Sequence, residues 1–160
     1  MQKITPCLWF NDNGEEAIAF YTSIFGNSGV GPSTRYDASG AKVSGRPEGS
    51  FLSGTFLLDG QEFMVLNGGP MFPFTEAISL VVNCDDQSEV DYYWEKLSEG
   101  GTEVQCGWLK DKFGVSWQVV PTILDELLRD SDPAKAARVM AAMLKMIKID
   151  IAELKRAYEG

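Results

Sequence analysis

Gln118 lies in the run CGWLKDKFGVSWQVVP, residues 106–121, where two tryptophans, an Asp-Lys-Phe-Gly turn and alternating apolar residues otherwise read as strand and core. A side-chain amide there either bonds to backbone or water at a strand end or reaches a ligand, because a buried amide must be satisfied either way. Glu62 follows a two-residue turn. It would serve as a general base if buried with a raised pKa, although a Glu at such a place is more often exposed. Cys7 could act as a nucleophile, but the chain has no His and no cation stands beside Cys7 in sequence, so a small buried thiol is the favoured reading. Trp9 and Trp108 suit either the wall of an aromatic pocket or the core, with core favoured. Asp111 and Lys112 read as turn residues with solvated charges.

The missing histidine excludes more chemistry than any motif supplies. It removes the commonest transition-metal ligand and the usual acid–base group at neutral pH. Ser-His-Asp and Cys-His triads and His-based zinc sites are ruled out with it. Cys7, Cys84 and Cys106 are odd in number and form no C-x-x-C pair, which suits reduced thiols. A net charge of −9 argues against nucleic acid and anionic membrane as partners. Residues 131–160 are the exception, with six Lys/Arg against four Asp/Glu, and read as a solvated helix face. The length of 160 residues suffices for one domain with its own core, and 44% hydrophobic with 23% charged residues is ordinary for a soluble globular chain. No apolar run approaches the ~20 residues of a membrane span. The opening MQKITPCLWF lacks a signal-peptide pattern, so a cytoplasmic location is expected.

The elements that must position these residues fall into two similar halves. ITPCLWF (4–10) alternates as a strand. Asn13 and Glu16 form a prospective capping box for a helix whose apolar face carries Ala17, Phe20, Tyr21 and Ile24, with Gly26 as its stop. Residues 27–50 hold at most an edge strand around Ser33–Tyr36. Phe51–Leu58 and Gln61–Asn67 are strands joined by Asp59-Gly60, a strong hairpin signal. The pattern restarts with AISLVVN (77–83) and a helix capped by Asp86 and Glu89 that stops at Gly100-Gly101. Glu103–Cys106, Trp108–Asp111 and Val115–Val120 follow as short strands. The pairs Asn13/Glu16 and Asp86/Glu89, and the pairs Phe20-Tyr21 and Tyr93-Trp94, stand at one common sequence offset, which indicates a faint internal duplication. The halves are 4–67 and a shorter 77–121 within a single domain, 1–160. A helical tail, 132–159, starts at Asp132-Pro133. There Met140, Leu144, Ile147, Ile151, Leu154 and Tyr158 form one stripe that covers the chain's own sheet or meets another subunit.

A doubled strand–helix–three-strand unit with Phe20-Tyr21 and Phe25-Gly26 in its first helix resembles the vicinal oxygen chelate superfamily of glyoxalase and bleomycin-resistance proteins. More specifically, CGWLKDKFGVSWQVVP together with RVMAAMLKMIKIDIAELKRAY resembles the PhnB-like, 3-demethylubiquinone-9 3-methyltransferase-like branch. The resemblance covers nearly the whole chain. It implies an α+β fold of two βαβββ modules forming an open, cup-shaped mixed sheet, with C-terminal helices and a ligand pocket in the cup. It also implies a homodimer. A ferredoxin-like α+β domain is the alternative fold.

In metal-dependent members of that superfamily, inward His and Glu side chains on the first and last strands of each module hold a metal. The matched positions here are Thr5, Met64, Ser79 and Gln118. Strand alternation sets Thr5, Cys7 and Trp9, then Glu62, Met64 and Leu66, then Ser79, Val81 and Asn83 on inward faces, and puts Ser116 and Val120 on the same face as Gln118. Two hydroxyls, a thioether and an amide are a poor set for a divalent metal, so neither a metal nor a cofactor is expected. The expectation is a metal-free binder of a small organic molecule, apolar or aromatic, contacted by Thr5, Trp9, Met64, Ser79, Trp108 and Gln118. The alternative is a metal-recruiting lyase, isomerase or dioxygenase-like enzyme that relies on Glu62, Cys7 and Gln118. The methyltransferase activity in the branch label lacks its usual Gly-rich strand-to-helix turn for S-adenosylmethionine.

Overall fold

The structure, a computed structural model, describes residues 2–160. The chain divides into two compact units, one ending at Phe74 and the other beginning at Thr75. Each is built on a four-stranded mixed sheet.

The first unit runs β1 (Cys7–Phe10), α1 (Gly14–Ile24), β2 (Gly29–Arg35), α2 (Ala38–Ser44), β3 (Phe51–Leu58), β4 (Gln61–Asn67). Its strand order is β1-β4-β3-β2. β1 lies parallel to β4, and the other neighbours are antiparallel. Asp59 and Gly60 both adopt positive φ, 48° and 77°, which is the backbone a two-residue hairpin between β3 and β4 requires. Alternation along the strands does the sorting: Leu8, Phe10, Phe63 and Val65 are buried, while Cys7 and Met64 are exposed. α1 buries Ala17, Ile18, Tyr21 and Ile24. The Tyr21 ring stacks on Phe56 of β3 with centroids 6.2 Å apart.

The N-terminus of α1 departs from the capping-box expectation. Asn13 makes no side-chain cap. The acceptor comes from the far end of β4, where the buried Asn67 Oδ1 accepts the Gly14 N–H at 2.9 Å. A Cβ on Gly14 would lie 2.2 Å from Val65 Cγ1, so only glycine lets α1 approach β4 closely enough for that bond. β2 is longer than the Ser33–Tyr36 edge strand expected, and it carries register shifts around Pro32. α2, not anticipated at all, buries none of its residues.

The second unit repeats the plan: β5 (Ser79–Cys84), α3 (Gln87–Ser98), β6 (Thr102–Glu103), β7 (Trp108–Lys110), β8 (Ser116–Pro121). The strand order β5-β8-β7-β6, with β5 parallel to β8, matches that of the first unit. Two βαβββ modules with mixed sheets are therefore present, the first carrying α2 as an insertion. The capping box of α3 is real. Asp86 Oδ1 accepts the Glu89 N–H at 2.9 Å, and Glu89 Oε2 reaches back to the Asp85 N–H at 2.8 Å.

Three helices follow, α4 (Thr122–Leu128), α5 (Pro133–Met143) and α6 (Ile151–Glu159). The stripe expected along one helix is broken between Met143 and Ile151. There the carbonyls of Met146 and Ile147 accept the N–H groups of Cys106 and Gly107, both at 2.8 Å, which pulls this segment out of helical geometry. Gln87 grips the same segment through Ile149 O at 3.1 Å and Ile151 N at 2.8 Å. Leu154 joins Leu124, Val139, Met146 and Ile149 in a small core, whereas Met140, Leu144 and Ile147 are left exposed. No helix among the described residues is long and apolar enough to cross a membrane.

Candidate functional site

The face of each sheet that does not carry α1 or α3 is where the sequence-predicted residues gather. In the first unit Cys7 and Met64 are cross-strand neighbours, as are Trp9 and Leu66. Thr5 lies just before β1 and two residues out of register with Met64, whose cross-strand neighbour is Cys7. Its hydroxyl instead meets Glu62 Oε1 at 3.4 Å. Glu62 is half-buried, not fully exposed, and Gln2 clamps its backbone. Trp9 is half-buried with its polar end already used, since Nε1–H donates to Gly69 O at 2.9 Å. Phe72 meets the ring edge-on at 5.0 Å. Cys7, expected as a buried thiol, is an exposed residue. The protein around its sulfur still pushes the thiol pKa up, so at neutral pH it is a protonated, weak nucleophile.

The second sheet carries the better-defined arrangement, in two cross-strand rows. Ser79 of β5, Ser116 of β8 and Lys110 of β7 are successive neighbours in one row. Val81, Gln118 and Trp108 form the next. The rows are tied diagonally, because Gln118 Nε2 donates to Ser79 Oγ at 2.8 Å. Lys110 pairs with Glu76, which stands in the connector before β5. The hydrogen bond from Lys110 and its charge, with the backbone, hold the Glu76 carboxyl below the usual range. Ser116 is 1% exposed and its Oγ has no hydrogen-bond partner among the described residues. Ser116, Lys110 and Glu76 are not among the site residues named from the sequence, although alternation puts Ser116 on the face of Gln118. Alternation from Gln118 and Trp108 marks the first two as sharing their face, but nothing in the sequence marks Glu76.

Asp111 is the largest departure from expectation. It is buried at 3% exposure, not solvated. Its carboxylate accepts from Phe113 N at 2.9 Å, Val115 N at 3.0 Å and Trp117 Nε1 at 2.8 Å. It thereby fixes the turn that delivers Ser116 and Gln118. Cys84 is fully buried on the opposite face, and burial with the nearby Glu89, Asp85 and Asp86 pushes its thiol up to about 12.

The donor chemistry does not fit a divalent metal. In the second unit Ser79 and Gln118 are neutral and bonded to each other, and in the first unit, taken by itself, Met64 offers only a thioether. No group of three or more His, Cys, Asp or Glu side chains converges among the described residues.

Comparison with known proteins places these modules. A family model described as 3-demethylubiquinone-9 3-methyltransferase matches residues 2–120, leaving α4 to α6 outside the match. A putative 3-demethylubiquinone-9 3-methyltransferase, PhnB protein, from Bacillus cereus is 39% identical. That match has a TM-score of 0.68 and covers 76% of this chain and 100% of that one. A protein from Pseudomonas aeruginosa is 21% identical at TM-score 0.58, covering 76% and 98%. The fosfomycin resistance protein FosX from Listeria monocytogenes is 18% identical at TM-score 0.56, covering 81% and 98%. The last two likenesses speak to fold alone. No curated protein matches the chain.

Proposed function

The chain belongs to the 3-demethylubiquinone-9 3-methyltransferase family, PhnB-like members of the vicinal oxygen chelate superfamily, and on that footing we propose that it binds a small organic molecule without a tightly held metal. The observation that carries this reading is the Gln118–Ser79 hydrogen bond of 2.8 Å. Here two neutral groups satisfy one another and leave a hydroxyl and an amide oxygen for a ligand. Val81, 51% exposed, and the half-buried Trp108 flank Gln118 and offer apolar surface for the body of that molecule.

Transfer of a methyl group, the activity in the family's name, draws no support from this architecture. Each sheet is mixed and four-stranded, without the doubly wound parallel sheet and glycine-rich turn that hold S-adenosylmethionine in many methyltransferases. The expected assembly is a homodimer in the cytoplasm. The test is a panel of apolar and aromatic compounds read by tryptophan fluorescence and thermal melting. Saturable shifts from some members support binding, and a flat response across the panel refutes it.

A further inference from the structure

We propose that the row Ser79–Ser116–Lys110 anchors the carboxylate of a small organic acid, and that Glu76 is an internal carboxylate which the ligand displaces. The inference deepens the small-molecule reading above and rests on it.

The row is rich in donors. Lys110 supplies a cationic ammonium on β7. Ser116 Oγ, buried and unpartnered, keeps its O–H unspent. Ser79 Oγ accepts from Gln118, so its own O–H is free to point along the row. A buried hydroxyl without a partner is rare enough in native proteins to need an explanation, and a ligand oxygen is one. Two hydroxyl donors followed in the row by an ammonium complement an anionic oxygen pair better than a neutral head group, since charge-assisted hydrogen bonds are the stronger kind. Glu76 already shows that a carboxylate is held there. It belongs to the connector, not to a strand, and its side chain is 59% exposed, so it can leave Lys110 without breaking the sheet. The adjacent row, Val81–Gln118–Trp108, then faces the apolar body of the acid.

The experiment is calorimetric titration of the full chain, as wild type, E76Q, K110M and S116A, with phenylacetate and octanoate and with their primary amides. Binding of the acids is expected to tighten severalfold in E76Q, to weaken by about tenfold in K110M and to weaken less in S116A. The amides should bind more weakly than the acids and be indifferent to E76Q. E76Q changes only an exposed connector side chain, so it carries the test even if K110M folds poorly. Equal binding of acid and amide with no response to E76Q would overturn the carboxylate anchor and leave small-molecule binding standing. So would acids that fail to bind E76Q while neutral compounds still shift the melting curve. Silence from acids, amides and the neutral panel alike would remove both proposals. If the unpartnered Ser116 hydroxyl holds only water, S116A leaves every affinity unchanged, which contradicts its role in the anchor.

Discussion

Asp111 Oδ2 accepts a 2.8 Å hydrogen bond from the indole Nε1 of Trp117, and through that bond a turn and a strand are fixed as one piece. The same carboxylate closes the turn through Phe113 N and Val115 N, so three buried or half-buried donors converge on one charged acceptor. Asp111→Ala would orphan all three. With about 1–3 kcal/mol for each unmet buried partner, a loss of at least ~3 kcal/mol is expected. Asp111→Asn keeps one oxygen acceptor and should cost less. Urea unfolding of both variants checks this, and a change of under ~1 kcal/mol for the alanine variant would show the carboxylate to be dispensable.

A second prediction concerns the cap that α1 borrows from β4. Asn67→Ala removes the acceptor of Gly14 N–H and should cost about 1–2 kcal/mol, the usual range for a lost helix cap. Asn13→Ala should cost almost nothing, because Asn13 makes no side-chain cap. Gly14→Ala should be worse than a helix-propensity argument allows, since its Cβ would fall 2.2 Å from Val65 Cγ1. Overpacking of about 1–3 kcal/mol should outweigh alanine's helical advantage. Thermal melting of the three variants separates these effects by their order.

These two cases show what was legible in the sequence. The βαβββ plan could be read because it rests on local signals: alternation in β4, the Asp59-Gly60 hairpin, and the Asp86/Glu89 cap. The cap of α1 could not, because its acceptor lies 53 residues away on another strand. Asp111 was misread for a related reason. An Asp in a turn looks solvated unless the position of the Trp117 indole is known. The tail failed at a break: its apolar spacing fits one helix, but the carbonyls of Met146 and Ile147 are claimed by Cys106 and Gly107. At the site, alternation put Ser79 and Gln118 on open faces but gave no hint that they bond each other, or that Glu76 reaches Lys110.

Of the three thiols, Cys7 and Cys84 should separate furthest by reactivity and by pH. Cys84 is buried and raised to about 12, so a thiol reagent at mildly alkaline pH should modify exposed Cys7 and leave Cys84 untouched until the protein is unfolded. The linkage has a definite sign. The folded state favours protonated Cys84 relative to the unfolded chain, so its contribution to stability is intact below about pH 9 and is lost as pH climbs toward 12. Cys84→Ala should therefore flatten part of the alkaline fall in stability. Mass spectrometry of labelled protein and alkaline melting curves provide the two readouts, and early labelling of Cys84 in the native state would contradict its burial.

The donor set predicts how the protein responds to metal. Mn²⁺, Ni²⁺, Zn²⁺ and Fe²⁺ should leave the melting temperature of the wild type unmoved, because Ser79 and Gln118 present no anionic oxygen and are engaged with each other. Gln118→Glu changes one thing at this position: it puts a carboxylate beside the Ser79 hydroxyl. Ser79 can then donate to the new carboxylate, so the fold should survive. A single carboxylate beside a hydroxyl is still a weak site, so a small stabilisation by Mn²⁺ is expected in the variant, and none in the wild type. Elemental analysis of natively purified wild-type protein gives the independent check. Near-stoichiometric metal there would mean that other side chains, Glu62 or a cysteine among them, reach the metal, and the metal-free reading would give way to the enzyme reading.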